Sequence, residues 1–358
     1  MTRIPVRLAG RSCPVAVGRG LLGRAGALLA PLFAGRRVVC VSSTPVIRIA
    51  GGRFARSLGR AGTVARWLTV PDGERAKTMR VLESLLRHMA RAGVDRRSFV
   101  VALGGGTVGD VAGLAAALYA RGIGVVQVPT TLVGQVDSAI GGKTAVDLPE
   151  GKNLAGAFHQ PAAVICDPDV LRTLPDRQYR AGLAEVVKYG IISSRPLFEL
   201  LERSHAAILS RDPGLLERIV VACVRIKARV VSGDERETTG MRTILNFGHT
   251  LGHGLEAATG FGGVLHGEAV AVGMIAAARL SAKLGVCGRE TPVRIESLLR
   301  SFGLPVLLPR SAGKVEIAAA MARDKKRTGR GLRVVLTPGI GGVRVRDGIN
   351  PNEILGTL

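Results

Sequence analysis

The chain has 358 residues, 47% apolar and 22% charged, which is enough for one large domain or two ordinary ones and excludes wholesale disorder. Its 48 glycines keep no three-residue period, which excludes collagen, and its 3% aromatics argue against a single-strand nucleic-acid platform built on stacking. Fifty Lys and Arg against 27 Asp and Glu leave a net charge of +23. The excess is mostly Arg spread along the chain, and its densest run, 323–327, is short. That pattern suits attraction of anionic small molecules, with no nucleic acid as partner.

The five cysteines, Cys13, Cys40, Cys166, Cys223 and Cys287, are far apart and form no C-x-x-C. They read as reduced thiols of a cytoplasmic protein rather than a disulfide framework. Residues 1–10 hold no long apolar run, so no signal peptide is expected. The most apolar stretches, 108–128 and 269–280, are interrupted by Asp110, Arg121 and Arg279, and no membrane span is expected.

In chain order, 37–42 is a β-branched run closed by turn residues. Residues 77–92 carry helical periodicity and open after Pro71-Asp72-Gly73. A continuous apolar run at 98–103 ends in three glycines, 107–119 suits a small-residue helix, and 123–128 and 163–166 read as further strands. Strands alternating with helices predict βαβ units and a parallel sheet. Beyond them, 176–192, 196–208, 214–231, 247–259, 267–284 and 290–302 all read as helices, with a late β pair at 332–336 and 342–345. The expected architecture is an α/β N-terminal domain over 1–172 and a mostly α-helical C-terminal domain over 173–358, with the boundary near 171–175.

Residues 104–110 (Gly104-Gly105-Gly106-Thr107-Val108-Gly109-Asp110) satisfy G-x-G-x-x-G between a strand and a helix. Such a loop brings backbone N–H groups to a diphosphate at a helix N-terminus. The next strand ends without the acidic residue of the standard dinucleotide fingerprint, and the same glycines also suit close strand–helix packing. Three of the six histidines fall within 18 residues: His249 and His253 at i and i+4 on one helix face, and His266 at the next helix start. Two or three imidazoles on facing helices make a candidate metal site. Glu185 and Lys188, at i and i+3 on an otherwise apolar helix, must pair or face a polar cavity, and Glu185 with two histidines would complete a three-ligand site with an open position. Lys143 and Lys152 sit in Gly-Lys loops that suit phosphate without being a Walker A.

Taken together these segments resemble the 3-dehydroquinate synthase family of the sugar phosphate cyclases. The likeness runs through Pro71-Asp72-Gly73-Glu74 with Lys77, 103–110, Tyr119-Ala120-Arg121-Gly122, 127–131, 136–146, Gly151-Lys152-Asn153 and Phe158-His159-Gln160-Pro161. It continues through 182–190, 245–253, 265–268 and Asp324-Lys325-Lys326. The resemblance implies an NAD-binding α/β domain, a helical domain holding one divalent metal (zinc or cobalt), a homodimer, and a sugar phosphate as substrate. The implied reaction turns 3-deoxy-D-arabino-heptulosonate 7-phosphate into 3-dehydroquinate and phosphate, in the shikimate pathway. Transient oxidation of a hydroxyl acidifies the neighbouring C–H, phosphate is eliminated, the ketone is reduced again, and an internal aldol closes the carbocycle.

By motif, the resemblance makes Glu185, His249 and His266 the metal ligands and moves His253 from the metal to the substrate. It implies catalytic or substrate-binding roles for Asp137, Lys143, Lys188, Lys227, Arg242, Asn246 and His253. Phosphate falls to Arg121, reaching from a partner subunit, with Lys143, Asn153, Arg242, His253, Lys325 and Lys326. For NAD the matching positions are Asp72, Gly73, Glu74, Lys77, Gly104, Gly105, Gly106, Thr107, Val108, Gly109, Asp110, Thr130, Thr131, Lys143, Lys152, Val170, Leu171, Arg172 and Thr173. The stretch 234–242 is one residue longer than usual, which leaves Glu235 and Glu237 as alternatives for one role. Another sugar phosphate cyclase and a metal-dependent alcohol dehydrogenase are the rival activities.

Overall fold

The computed structural model describes residues 1–260, 262–325 and 331–358, and its contacts divide the chain into two units. The first comprises Met1–Leu174 with Pro213–Arg236, the second Pro175–Asp212 with Glu237–Leu358. The helix Pro213–Gly233 belongs to the first unit although it lies in the C-terminal half of the sequence. Its residue Ser232 accepts a hydrogen bond from the Arg7 N–H (2.9 Å), and its apolar face is buried through Leu216, Ile219, Val220, Cys223 and Val224.

The first unit is built on a seven-stranded sheet of order β1-β2-β9-β6-β5-β3-β4. The strands are β1 (Thr2–Leu8), β2 (Arg11–Val17), β3 (Val38–Ser43), β4 (Ala65–Val70), β5 (Phe99–Gly104), β6 (Gly124–Pro129) and β9 (Ala163–Cys166). Only β1 and β2 pair antiparallel; every other pairing is parallel. All six residues of both β3 and β5 are buried, as expected of central parallel strands covered on both faces. Val39, Val41, Val100 and Ala102 pack with Leu82, Leu85 and Met89 of the helix Met79–Arg91 on one side. Val38, Cys40, Val101 and Leu103 pack with Leu29, Phe33, Phe54 and Leu58 on the other. A separate hairpin, β7 (Lys143–Leu148) with β8 (Gly151–Phe158), lies against the small-residue helix Gly106–Leu118. The approach is close, since a Cβ on Gly113 would stand 2.4 Å from Thr144 Cγ2.

The second unit packs the helices Asp176–Ser193, Arg195–Leu209, His249–Ala258, His266–Lys283, Glu290–Ser301 and Lys314–Lys325 with a hairpin, β10 (Leu332–Gly339) and β11 (Gly342–Ile349). Leu251, Leu255, Val272, Leu280, Ile317, Met321, Val334 and Leu336 form one core. Glycines let three of its helical segments touch. A Cβ on Gly267 would sit 1.8 Å from the Ala181 carbonyl oxygen, and one on Gly273 1.9 Å from that of Gly248. Among the described residues no helix is long and apolar enough to cross a membrane, and all five cysteines are free.

Candidate active site

In the first unit the predicted cofactor residues, apart from Lys143 and Lys152 on the hairpin of β7 and β8, collect on loops that leave the carboxyl ends of parallel strands, the edge at which open α/β sheets bind ligands. Residues 72–77 follow β4, 104–110 follow β5, Thr130 and Thr131 follow β6, and Val170–Thr173 lie in the single turn Pro168–Thr173 after β9. The Thr130 N–H donates to the Gly104 carbonyl (2.9 Å), joining two of these loops. Ser43, at the end of β3, donates its hydroxyl to Asp72 Oδ1 (2.8 Å) and so joins the edge without having been singled out in the sequence.

The glycines of 104–110 are required by their own neighbours. A Cβ on Gly104 would stand 2.6 Å from Val108 Cβ, on Gly105 2.9 Å from Thr131 Cγ2, on Gly106 2.8 Å from Ser138 Oγ, and on Gly109 2.8 Å from Gln127 Oε1. None of the four needs a left-handed backbone. Close packing, the alternative left open by the sequence, is therefore real, and it delivers a helix N-terminus whose first N–H groups lack intrahelical acceptors.

Lys77 is buried and organises the adjoining polar cluster. Its ammonium donates to Asp110 Oδ2 (2.8 Å) and to Asn153 Oδ1, with Asp147 Oδ1 at 4.0 Å. Asn153 holds a left-handed backbone (φ 57°), and its N–H donates to Asp147 Oδ1 (2.7 Å). Burial opposes the charge on Lys77, yet Asp110, Glu74 and Asp147 hold its pKa above the ordinary lysine value. Burial pushes the Asp110 carboxyl up to about 6, against the pull of Lys77. Lys152 Nζ lies 3.6 Å from Glu74 Oε1. Asp147 was missed in the sequence because it reads there as one acid in a turn. Lys227 reaches Asp137 (Nζ to Oδ1, 2.7 Å), a pairing made possible by the return of Pro213–Gly233 to this unit.

Lys143 is exposed at the start of β7, directly after Gly141 and Gly142, whose φ angles are 110° and 69°. Arg121 is exposed in a turn where Ala120, Arg121 and Gly122 all hold positive φ. His159 links the two turns: its N–H donates to the Gly142 carbonyl (2.7 Å), and its Nε2 lies 2.8 Å from the Ile123 carbonyl.

In the second unit Glu185, His249 and His266 converge. Glu185 Oε1 lies 3.7 Å from His249 Nε2 and 3.5 Å from His266 Nε2, and the three donor atoms all fall within 4.8 Å of one another. Donors about 2.0–2.2 Å from one tetrahedral ion stand roughly 3.4 Å apart, so one divalent metal fits this set. The outward nitrogens agree. His249 Nδ1 faces the Phe247 carbonyl at 3.2 Å, which can only accept, so that nitrogen carries hydrogen and the Nε2 lone pair points inward. His266 Nδ1 faces Glu256 Oε2 at 3.1 Å, and against the effect of burial the two carboxylates flanking that ring raise its pKa to about 10, so a metal binds there in place of the Nε2 proton. Burial and the Lys188 charge keep the His249 pKa well below the ordinary value, which favours the neutral, ligating form. Glu185 and Lys188, both 1% exposed, form an ion pair.

His253 shares the helix face of His249, their ring centroids 5.3 Å apart, but it is exposed and falls in a second donor group with Glu256 and His266. Helical spacing alone had grouped His249 with His253; the acid that closes the first set comes from the helix Asp176–Ser193. Arg242, 2% exposed, faces Glu237 (Nε to Oε1, 3.5 Å), whereas Glu235 pairs with Arg11 (2.8 Å) in the other unit. Asn246 is exposed at the end of the short turn Met241–Asn246. Lys325 ends the helix Lys314–Lys325, and Lys326 lies outside the described residues.

Residues 67–181 match the family model described as 3-dehydroquinate synthase N-terminal, and 182–327 match the 3-dehydroquinate synthase C-terminal model. A 3-dehydroquinate synthase of Geobacter metallireducens is 48% identical over 350 residues, covering 97% of either chain. Among solved structures, a 2-epi-5-epi-valiolone synthase of Streptomyces hygroscopicus subsp. jinggangensis 5008, with NAD+ and Zn2+ bound, superposes with a TM-score of 0.88 at 30% identity, covering 97% of this chain and 96% of its own. A 2-deoxy-scyllo-inosose synthase complexed with carbaglucose-6-phosphate, NAD+ and Co2+ also reaches 0.88, at 28% identity and 99% of each chain.

Proposed function

The chain belongs to the 3-dehydroquinate synthase family, a phosphorus–oxygen lyase using NAD and a divalent metal, and we propose how its own residues divide the conversion of 3-deoxy-D-arabino-heptulosonate 7-phosphate to 3-dehydroquinate and phosphate. When bound, the metal supplies a Lewis acid that lowers the pKa of the reacting hydroxyl, and NAD supplies a hydride acceptor that is regenerated within the turnover.

Glu185, His249 and His266 hold the metal, and the observation that carries the reading is the inward convergence of their donor atoms. Lys188 pairs with the buried Glu185 carboxylate and so opposes the cost of its charge. The loops 72–77, 104–110, 130–131 and 170–173, with Lys143 and Lys152, hold the dinucleotide at the sheet edge. Asp137 receives the substrate hydroxyls, and Lys227 holds that carboxylate charged. Binding of the phosphate in the ground state and its stabilisation as it leaves are assigned to Arg121, Lys143, Asn153, Arg242, His253, Lys325 and Lys326. Asn246 orients the sugar. The reading extends to a cytoplasmic homodimer, with Arg121 serving the partner's site. It also divides the chain functionally into a cofactor part, 1–172, and a metal and substrate part, 173–358, with the helix Pro213–Gly233 lending Lys227 to the former.

Incubation of the metal-loaded protein with the heptulosonate phosphate and catalytic NAD tests it. Release of inorganic phosphate in step with the carbocyclic product, with no net absorbance at 340 nm, is expected. Stoichiometric NADH would instead mark an alcohol dehydrogenase, and phosphate release only from a different sugar phosphate would mark another cyclase. Light scattering of the same preparation reads the dimer.

A further inference from the structure

We propose that Glu256 is a positioning residue for the metal: it holds His266 by its outer nitrogen, so that the inner nitrogen is presented to the ion beside Glu185. The inference rests on the metal-site reading above and deepens it.

Glu256 is 2% exposed on the helix His249–Ala258, one turn beyond His253 and two beyond His249 on the same face. Next to it on that helix Leu255 is fully buried in the apolar core. A carboxylate in such surroundings costs several kcal/mol unless it is paired, and Glu256 Oε2 meets His266 Nδ1 at 3.1 Å. The opposite nitrogen of the same ring, Nε2, lies 3.5 Å from Glu185 Oε1. One imidazole thus bridges two buried carboxylates, one on each side.

The backbone of His266 is already fixed. It opens the helix His266–Lys283, where Glu268 Oε2 accepts the Leu265 N–H (2.9 Å) and is itself gripped by Arg177 through two contacts of 2.7 and 2.8 Å. Gly267 lets this helix start press against Ala181, one turn from Glu185. What the helix start does not fix is the rotation of the ring and the nitrogen that keeps the proton. Without an outer acceptor either nitrogen could carry it, and the ring could swing away from Glu185. The Glu256 contact settles both, and an anionic acceptor makes the inner nitrogen a stronger donor. His249 receives the weaker form of the same help from the Phe247 carbonyl.

Glu256, His253 and His266 also make a second group of possible ligands, so the same contact could belong to an ion held directly by Glu256. The two roles differ in what His253 should do, and that decides the test. Zinc affinity of the full-length protein is measured by competition with a chromophoric chelator, with Co2+ absorption as the signature of coordination.

Glu256→Ala should weaken zinc about 10- to 100-fold, as loss of an outer carboxylate partner does elsewhere. Glu256→Gln, which keeps a neutral acceptor, should weaken it at least threefold but less than Ala, with the Co2+ spectrum kept. His253→Ala should leave zinc affinity within about twofold. A Glu256→Ala protein that binds zinc as the parent does overturns the proposal. If that variant does not fold, an unchanged affinity in Glu256→Gln overturns it equally. Equal losses in His253→Ala and Glu256→Ala would make Glu256 a ligand and also overturn it. His249→Ala is the control for the underlying site: unchanged zinc binding there sinks the metal reading itself, whereas loss there with none in Glu256→Ala sinks only the role of Glu256.

Discussion

The loop edge of the first unit and the histidine cluster of the second solve opposite problems. At the sheet edge the proposed ligand contacts are backbone groups and side chains that stay partly in water, such as Lys152 and Asn153. Precision there comes from close packing of glycines against neighbouring side chains. In the histidine cluster the charges are inside: Glu185 and Lys188 are each 1% exposed, with Glu256 at 2%. A buried charge is tolerable only with a specific partner, so each member depends on another. The edge should therefore lose ligand affinity by degrees when altered, and the cluster should lose either metal or stability outright.

The largest effect expected from this contrast is at His249. His249→Ala removes one of three donors, so zinc content by atomic absorption should fall to background. Phosphate release should drop on the order of 10³-fold or more, given the several kcal/mol of charge stabilisation that such an ion supplies. Full activity with full metal content would break the assignment.

Next comes Lys188→Met, which leaves the Glu185 carboxylate buried without its cation. Metal-free protein should lose about 3–5 kcal/mol in urea unfolding, the usual consequence of breaking a buried pair, and added zinc should return part of it. Stability equal to the parent without metal would show that water reaches this cluster and that the contrast with the edge is false.

At the edge, Lys152→Ala should raise the NAD dissociation constant roughly 10- to 150-fold by titration calorimetry, the range for about 1.5–3 kcal/mol in one charge-assisted contact, with metal content unchanged. Gly106→Ala puts a methyl 2.8 Å from Ser138 Oγ, and Ser138→Gly should relieve that clash. If the pair of changes restores stability but not NAD affinity, the methyl also meets the diphosphate. If both return together, the glycine serves packing alone.

The smallest effect concerns pH. Burial lifts the Asp110 carboxyl to about 6. Between about pH 4 and 6 the folded chain keeps a proton that the unfolded chain has released, so this group withdraws stability as pH rises through that window. Asp110→Asn cannot titrate and should flatten that part of the urea-stability profile. An unchanged profile would place Asp110 in water after all.

Much of the parallel sheet was legible because its central strands are continuous apolar runs between turn residues. The predicted strands 37–42, 98–103 and 123–128 each fall one residue before the observed β3, β5 and β6, and 163–166 coincides with β9. The late pair expected at 332–336 and 342–345 lies within β10 and β11, but the two hairpins of the first unit were not legible. Pro5 and Pro14, opposite one another, and exposed arginines interrupt the apolar pattern of β1 and β2, and residues 143–158 look like two Gly-Lys loops until the register from Lys143 with Phe158 to Leu148 with Gly151 joins them.

The sequence by itself determined the class of fold, the glycine loop after a buried strand, and the fact that six histidines are gathered unevenly, because periodicity and composition are local quantities. It also placed enough ordered motifs to identify the family. Only the tertiary structure decided the partners: that Pro213–Gly233 returns to the first unit and sets Lys227 against Asp137, that Glu237 rather than Glu235 faces Arg242, and that Glu256 backs His266. A helix announces its apolar face through spacing, but the core that receives that face is chosen by burial across the whole chain. The ring nitrogen that keeps a proton is likewise chosen by an acceptor that can lie anywhere in the sequence.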